Sequence, residues 1–350
     1  MELSTLYILF GDLTQTRRAK ALKNILAGRR TVSNLYWALE YDLLPYFGAL
    51  RDFKLGDEKN ALDRLAHLGL IVLTDRFSFQ LTNQGRDQQV NLLKLLPPIK
   101  KLTIAAQNDV VRFSSRFIFA TQIVSEYSYS NKRYYPQTIG FFDDQLIKRW
   151  FIQNKQRQLP NYFQELLDRF LTQLHDDLLA EIFIQSLTGH HFSGETEDQL
   201  SAKMGVPPTI IQLQWLMLYA DLLTRVQQIP TSPLKLLLVG LARSPMANST
   251  NKTLIMYRNT DYTPEQIASR RRIKLTTVYE HLLEAAIVLP VNQFPFSRLL
   301  AEPTKQALES HQPSIIGEWA FKEAKAAIPD LSFFEFRLFQ VLDKKRKNDD

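Results

Sequence analysis

Tyr262-Thr-Pro-Glu-Gln-Ile-Ala-Ser-Arg-Arg-Arg-Ile-Lys-Leu-Thr-Thr-Val-Tyr-Glu-His-Leu-Leu283 spells two short helices joined by a tight turn. Thr263 suits a helix cap, Pro264 its first turn, and Gln266 the partner that reaches back to the cap's N–H. Ile267 and Ala268 face inward, and Ala268 is small where a second helix must cross closely. The turn falls at Arg272 and Ile273 plugs the gap behind it. A second helix from about Leu275 then carries Val278, Leu282 and Ala285 at helical spacing as its buried stripe. Lys274, Thr276, Thr277, Tyr279 and Glu280 gather on the outward side of that helix's N-terminus, the end a helix-turn-helix pushes into a major groove. This reading requires Lys274 to Tyr279 to stand clear of neighbouring segments.

The same grammar occurs earlier in the chain. Thr196-Glu-Asp-Gln199 is a capping box, Leu200 and Ser201 stand in the places of Ile267 and Ala268, and Gly205-Val206 in those of Arg272-Ile273. Pro207 and Pro208 restart the chain into a helix whose Ile211 matches Val278. Its outer candidates, Thr209, Gln212 and Gln214, carry no charge, so this unit reads as a packing or partner-binding element rather than a groove reader.

Near the N-terminus, Arg17 to Leu26, Val32 to Leu44 and Asp57 to Leu68 read as three helices. Gly69-Leu-Ile-Val-Leu-Thr74 and Phe77-Ser-Phe-Gln-Leu-Thr82 follow as two strands around Asp75-Arg76. Three helices and a hairpin make a winged-helix-like module. Lys59, Asn60, Arg64 and His67 would line the exposed face of its third helix, with Arg76 at the wing tip. Such modules bind DNA or dock proteins, so this face is a second DNA or partner surface.

Composition bounds the possibilities. A chain of 350 residues, 45% of them hydrophobic, can bury two or three small cores and is not disordered. The net charge of +7 favours polyanionic partners through counterion release, although 43 basic against 36 acidic residues is a modest excess. The absence of cysteine excludes disulfides and thiolate zinc sites. No window reaches the roughly 18 apolar residues of a membrane span, and the acidic opening Met1-Glu2 lacks the basic start of a signal peptide. A cytoplasmic location is expected.

Proline and small-residue breaks suggest modules. These are a winged-helix-like domain over 1–96, a central helical region over 97–230 with its helix-turn-helix near 196–216, a C-terminal helix-turn-helix domain over 231–343, and a solvated charged tail over 344–350. The fold class is mainly α. Pro160 introduces one long helical run through Ile184, the Tyr- and Ser-rich stretch Ser125 to Pro136 is a hinge candidate, and two closing helices span Ser314 to Ala327 and Ser332 to Leu342.

Ala268, Arg271, Ile273, Lys274, Thr277, Val278, His281 and Leu282 follow a pattern of the helix-turn-helix domain at the C-termini of some RecQ-type helicases. Ala324-Lys325, Pro329 and Phe333-Phe-Glu-Phe-Arg-Leu-Phe-Gln340 resemble that domain's closing segment. With Arg29, Pro45-Tyr-Phe-Gly48 and Gly69-Leu-Ile71, most of the chain resembles the bacterial YpbB family, whose genes usually lie beside that of a RecQ-family helicase. The resemblance implies DNA handling near a helicase. In one departure, Arg272 sits where such units usually place Gly, so a positive φ there would strain the turn, or the side chain would gain a phosphate contact.

By chemistry, Arg270, Arg272 and Lys274 suit phosphates, helped by the positive end of the second helix. Thr276, Thr277 and Tyr279 suit base edges or sugar, unless a threonine caps the helix or Tyr279 snorkels over the core. Arg271 should turn inward and pair with a carboxylate, and His281 should pack between helices. Catalytic signatures are missing: there is no P-loop, and no serine, histidine and acid constellation. His190-His191 with Asp176, Asp177 and Glu181 lacks metal-ligand spacing, and adjacent histidines diverge on any regular element. No enzyme, cofactor, metal or small-molecule substrate is expected. Three functions remain open: a non-enzymatic DNA-binding accessory protein working with a RecQ-family helicase on duplexes or forks, a transcriptional regulator, and an adaptor that binds no nucleic acid.

Overall fold

The computed structural model describes residues 1–349, which form two compact units: residues 1–27 with 48–243, and residues 28–47 with 244 onward. In chain order the first elements are α1 (Leu3–Phe10), β1 (Arg17–Arg18), α2 (Ala19–Leu26), α3 (Val32–Glu40), α4 (Glu58–His67), β2 (Ile71–Asp75), β3 (Ser78–Leu81) and α5 (Asn83–Lys94). The middle holds α6 (Leu102–Gln107), α7 (Val110–Ser128), α8 (Phe141–Asn154), α9 (Leu159–Thr172), α10 (Asp177–Gln185), α11 (Glu197–Met204) and α12 (Pro208–Gln228). The last part contains α13 (Asn248–Asn259), α14 (Pro264–Arg271), α15 (Leu275–Val288), α16 (Glu302–His311), α17 (Phe321–Ala327) and α18 (Phe333–Asp349). The protein is mainly helical, and no helix among the described residues is long and apolar enough to cross a membrane.

At the start of the first unit, α1, α2, α4 and a small antiparallel sheet of order β1-β3-β2 pack together. Ile71 pairs with Leu81 and Arg17 with Phe79, which turns Phe79 and Leu81 into the core. Two details differ from the sequence reading. Leu3–Phe10 is itself a helix, and Arg17-Arg18 is a strand on the hairpin's flank. More consequentially, Val32–Glu40, the expected middle helix of this module, belongs to the second unit. Asp57 caps α4 by accepting from the Asn60 N–H at 3.0 Å, and Thr82 caps α5 through Gly85. Gly85 must be glycine, because an added Cβ would lie 2.0 Å from the Leu70 carbonyl oxygen.

The rest of the first unit is built around α12, whose residues are buried on nearly every side, as expected of a central helix rather than a surface one. Phe113, Phe117, Phe170 and Phe183 cluster around Tyr219 of α12, whose hydroxyl is satisfied by that of Ser186 at 2.9 Å. Burial of each such ring contributes about 1.5–3 kcal/mol before entropy is counted. The run expected from Pro160 through Ile184 is broken into α9 and α10, because His175 adopts a positive φ and Asp176 caps a new helix. The first unit also extends to Arg243, past the boundary expected at residue 230. The stretch 233–239 is held by Trp150, which donates to the Pro233 carbonyl at 2.8 Å, and by Arg116, which donates to those of Leu237 and Val239 at 2.7 and 2.8 Å.

In the second unit α15 is the core helix. It contacts α13, α14, α18 and α3, and buries Val278, Leu282, Leu283, Ala285, Ala286 and Ile287. A knot of charge secures α3's leading loop. Buried Glu284 accepts from Arg30 at 2.7 Å, from the Ala247 N–H at 3.0 Å and from the Thr250 hydroxyl at 2.7 Å. Of the segment expected as a solvated tail over 344–350, the described residues are helical and end α18, with Arg346, Lys347 and Asn348 exposed, Lys344 paired with Asp42 at 2.9 Å and Asn348 donating to it at 3.0 Å; Asp350 lies outside the described residues. Expected closing helices shift as well: Glu302–His311 is helical, whereas Ser314 to Ala320 contains only a short 3-10 turn.

Candidate nucleic-acid interface

Local chemistry builds the turn between α14 and α15. Thr263 accepts from the Gln266 N–H at 3.3 Å and Gln266 returns the bond to Thr263 N–H at 3.0 Å, which closes the capping box. At the other end, Arg272 has φ 54° and ψ 44°, its N–H donates to the Ser269 carbonyl, and the Ile273 N–H donates to that of Ala268. That pair of bonds is the Schellman arrangement, which needs a left-handed residue at its apex. Glycine fills the position at the corresponding turn of the first unit, where Gly205 has φ 66° after a second capping box of Thr196 and Gln199. The two turns therefore match in register and conformation, and Arg272 holds a strained backbone that glycine would hold freely.

α15 begins without a side-chain cap: Lys274 occupies the N-cap position and its side chain accepts nothing. Neither Thr276 nor Thr277 caps the helix, and among the described residues neither hydroxyl has a hydrogen-bond partner. Thr276 is exposed and Thr277 half-buried. Around this helix start stand Arg270, Arg272 and Lys274, all exposed and, among the described residues, in no ion pair. The Arg270 guanidinium carbon lies 4.2 Å from the centroid of the Tyr262 ring, a cation–π contact that restrains the side chain. Tyr262 was not singled out by sequence, since an aromatic before a helix cap has no marker of its own. The helix tip thus offers unpaired cations, free hydroxyls and uncapped N–H groups together, which favours an anion.

Other expected site residues are engaged elsewhere. Tyr279 donates to Glu265 at 3.2 Å and packs on Phe334 with ring centroids 4.5 Å apart, and burial, then the Glu265 carboxylate, push its hydroxyl pKa up. It braces α14 and α18 against α15 behind the tip. Arg271 turns inward but meets no carboxylate among the described residues; it donates to the Ser249 carbonyl at 2.9 Å, to the Ser249 hydroxyl at 3.0 Å and to Thr253. His281 packs beside it, bonded to the Thr253 hydroxyl at 2.8 Å, and burial, then Arg271, lower its pKa.

The two other surfaces differ from this one. In the central pair α11 and α12, Thr209 accepts from the Glu2 N–H, Gln212 donates to Glu197, and Gln214 donates to the Leu95 carbonyl, so its polar candidates are consumed internally. On α4, Lys59, Asn60, Arg64 and His67 are exposed, as is Arg76 at the hairpin tip over Phe77. Asp63 shares that face, and Glu2 lies 3.7 Å from Arg64, so its positive field is diluted. His190 bonds Glu126 at 2.7 Å rather than facing Asp176, Asp177 or Glu181. No group of three or more potential ligands among the described residues could hold a metal ion.

Residues 249–340, from α13 into α18, match a family described as Helix-turn-helix domain. Over 284 residues the chain is 22% identical to Protein YpbB of Bacillus subtilis (strain 168), covering 78% of each chain. No solved structure matches. The fold agrees with these likenesses in one respect: a helix-turn-helix domain spans the part of the chain that carries the tip of α15.

Proposed function

We propose that the protein is a non-enzymatic, cytoplasmic DNA-binding accessory factor that inserts the start of α15 into a major groove and acts with a RecQ-family helicase in DNA repair or recombination. One observation carries the proposal. Arg270, Arg272, Lys274, Thr276 and Thr277, all without ionic or hydroxyl partners among the described residues, surround a helix N-terminus that no side chain caps. The cations would hold phosphates and set affinity, while the two hydroxyls would reach base edges or sugar. Tyr279 would act from behind by keeping the tip rigid. The helicase partnership rests on the likeness to the YpbB family.

The test is duplex and forked DNA binding at several salt concentrations, for wild type and for the Arg270→Ala, Arg272→Ala, Lys274→Ala triple variant. Loss of three phosphate contacts should flatten the slope of log affinity against log salt by about 2.7. Unchanged binding of every DNA by the triple variant would refute the site. Adding the helicase to the fork assay tests recruitment, which predicts a joint complex tighter than either component alone.

A further inference from the structure

The Tyr- and Ser-rich stretch that sequence marked as a hinge is a pinned loop that displays aromatic rings. Between the end of α7 and the start of α8, the buried Gln122 side chain donates to the Tyr135 carbonyl at 3.1 Å and accepts from the Gln137 N–H at 2.8 Å. Asn131 donates to Glu126 at 2.7 Å and accepts from the Arg133 N–H at 3.0 Å, and Gln137 donates to the Thr188 hydroxyl at 3.0 Å. Polar side chains turn inward to hold this loop while aromatic ones face water, the reverse of the usual arrangement. Tyr135 is 98% exposed, Phe142 79%, Phe141 72% and Tyr129 67%. Tyr129 lays one face on His190, at 4.4 Å between ring centroids. Singly exposed apolar residues are commonplace, but four exposed rings carried by one pinned loop and the helix start that follows it mark a binding surface.

Charge identifies the occupant. No carboxylate occurs from Tyr127 to Phe142, and the two that follow are withdrawn. Asp143 is gripped by Arg112 at 2.8 Å and Arg116 at 2.6 Å, and Asp144 accepts from the Ile139 N–H at 3.0 Å. With Ile147 and Trp150 buried, the outward side of α8 runs from Phe141 through Lys148 and Arg149 to Ile152. Lys132, Arg133, Lys148 and Arg149 enter no ion pair among the described residues. Flat rings interleaved with unpaired cations fit a polyanion whose bases are free to stack. A duplex keeps its bases stacked inside and has no use for the rings.

We infer that this surface of the first unit binds single-stranded nucleic acid, with bases on Tyr129, Tyr135, Phe141 and Phe142 and phosphates along Lys148 and Arg149. It is independent of the groove-reading tip, which lies in the other unit and addresses a different form of DNA. Fluorescence anisotropy with a labelled oligothymidylate of about 15 nucleotides, long enough to cover such a strip, tests the assignment on the full-length chain. Tyr135→Ala combined with Phe142→Ala alters only exposed rings, and circular dichroism checks that the fold is kept. This variant should lose oligonucleotide affinity about tenfold or more, since each stacked base contributes substantially, with duplex affinity unchanged. Lys148→Ala with Arg149→Ala should lower the salt dependence, and the triple variant at the helix-turn-helix should bind the oligonucleotide like wild type. Wild-type affinity in the ring variant would overturn the inference. So would failure of the wild type to bind at low salt, an outcome that would assign the rings to a protein partner.

Discussion

Arg272→Gly should move stability and DNA binding in opposite directions. The residue sits at φ 54° in the apex of the Schellman turn, is exposed, and forms no ion pair among the described residues. A left-handed backbone costs a non-glycine residue about 1–2 kcal/mol, whereas glycine forfeits about 0.4–1 kcal/mol through the greater freedom of its unfolded chain. The net gain for glycine is therefore about 0.5–1 kcal/mol, or on the order of 2–5 °C in the melting midpoint of the second unit. Arg272→Ala keeps the strain and should melt close to wild type. For DNA the two variants should behave alike, since each removes one phosphate contact and lowers the salt slope by about 0.9. Arg272→Lys should retain most of that slope while losing the guanidinium fork. Gly205→Ala is the reciprocal control. Nothing lies within 4 Å of its added Cβ, so the whole cost of about 0.5–1 kcal/mol comes from φ 66°. Thermal melts and duplex titrations at four salt concentrations measure both quantities. An Arg272→Gly protein that melts no higher than Arg272→Ala would refute the strain argument, and one that binds with the wild-type salt slope would refute the phosphate contact.

Two further outcomes follow from the second unit. Glu284→Ala leaves Arg30, the Ala247 N–H and the Thr250 hydroxyl without their common acceptor, so urea unfolding should show a loss of about 3 kcal/mol. Glu284→Gln, which keeps acceptor capacity, should lose less, and equal losses would contradict the account of the knot. His281 is held neutral by burial and by Arg271, so its folded pKa lies below its unfolded one. The unfolded chain takes up that proton as pH falls below about 6.5, so the histidine's contribution is complete above that pH and is lost below it. Urea midpoints from pH 7.5 to 5 should therefore fall more steeply for wild type than for His281→Gln. Parallel curves would show that His281 is not the titrating group.

The two helix-turn-helix units were legible because every signal in them is local. A capping threonine, its glutamine three residues on, and an inward pair followed by a turn residue are short-range constraints that the backbone must satisfy wherever the segment ends up. The same holds for the cations at the tip of α15. The anomaly at Arg272 comes from the resemblance to units that place glycine there, and Gly205 occupies the equivalent apex of the internal repeat.

Which helices share a core was not written locally. Val32–Glu40 has the pattern of a helix and nothing that names its partner. It joins α15 and α18 because Leu35, Tyr36 and Leu39 are buried there and because Arg30 meets Glu284 across 254 residues of sequence. Tyr279 reads as a base contact or as a ring over the core, and only its contacts with Glu265 and Phe334 decide between them; Thr209 and Gln214 likewise have internal partners. The Tyr- and Ser-rich stretch Ser125 to Pro136 reads as a hinge candidate, because the side chains that pin the loop lie on α7 and beyond α10. Sequence determined the helices, their caps and the charge at their ends, since these depend on neighbours a few residues away. Tertiary structure alone decided which polar groups are used up inside and which remain free for a ligand, because that depends on partners the chain brings together only by folding.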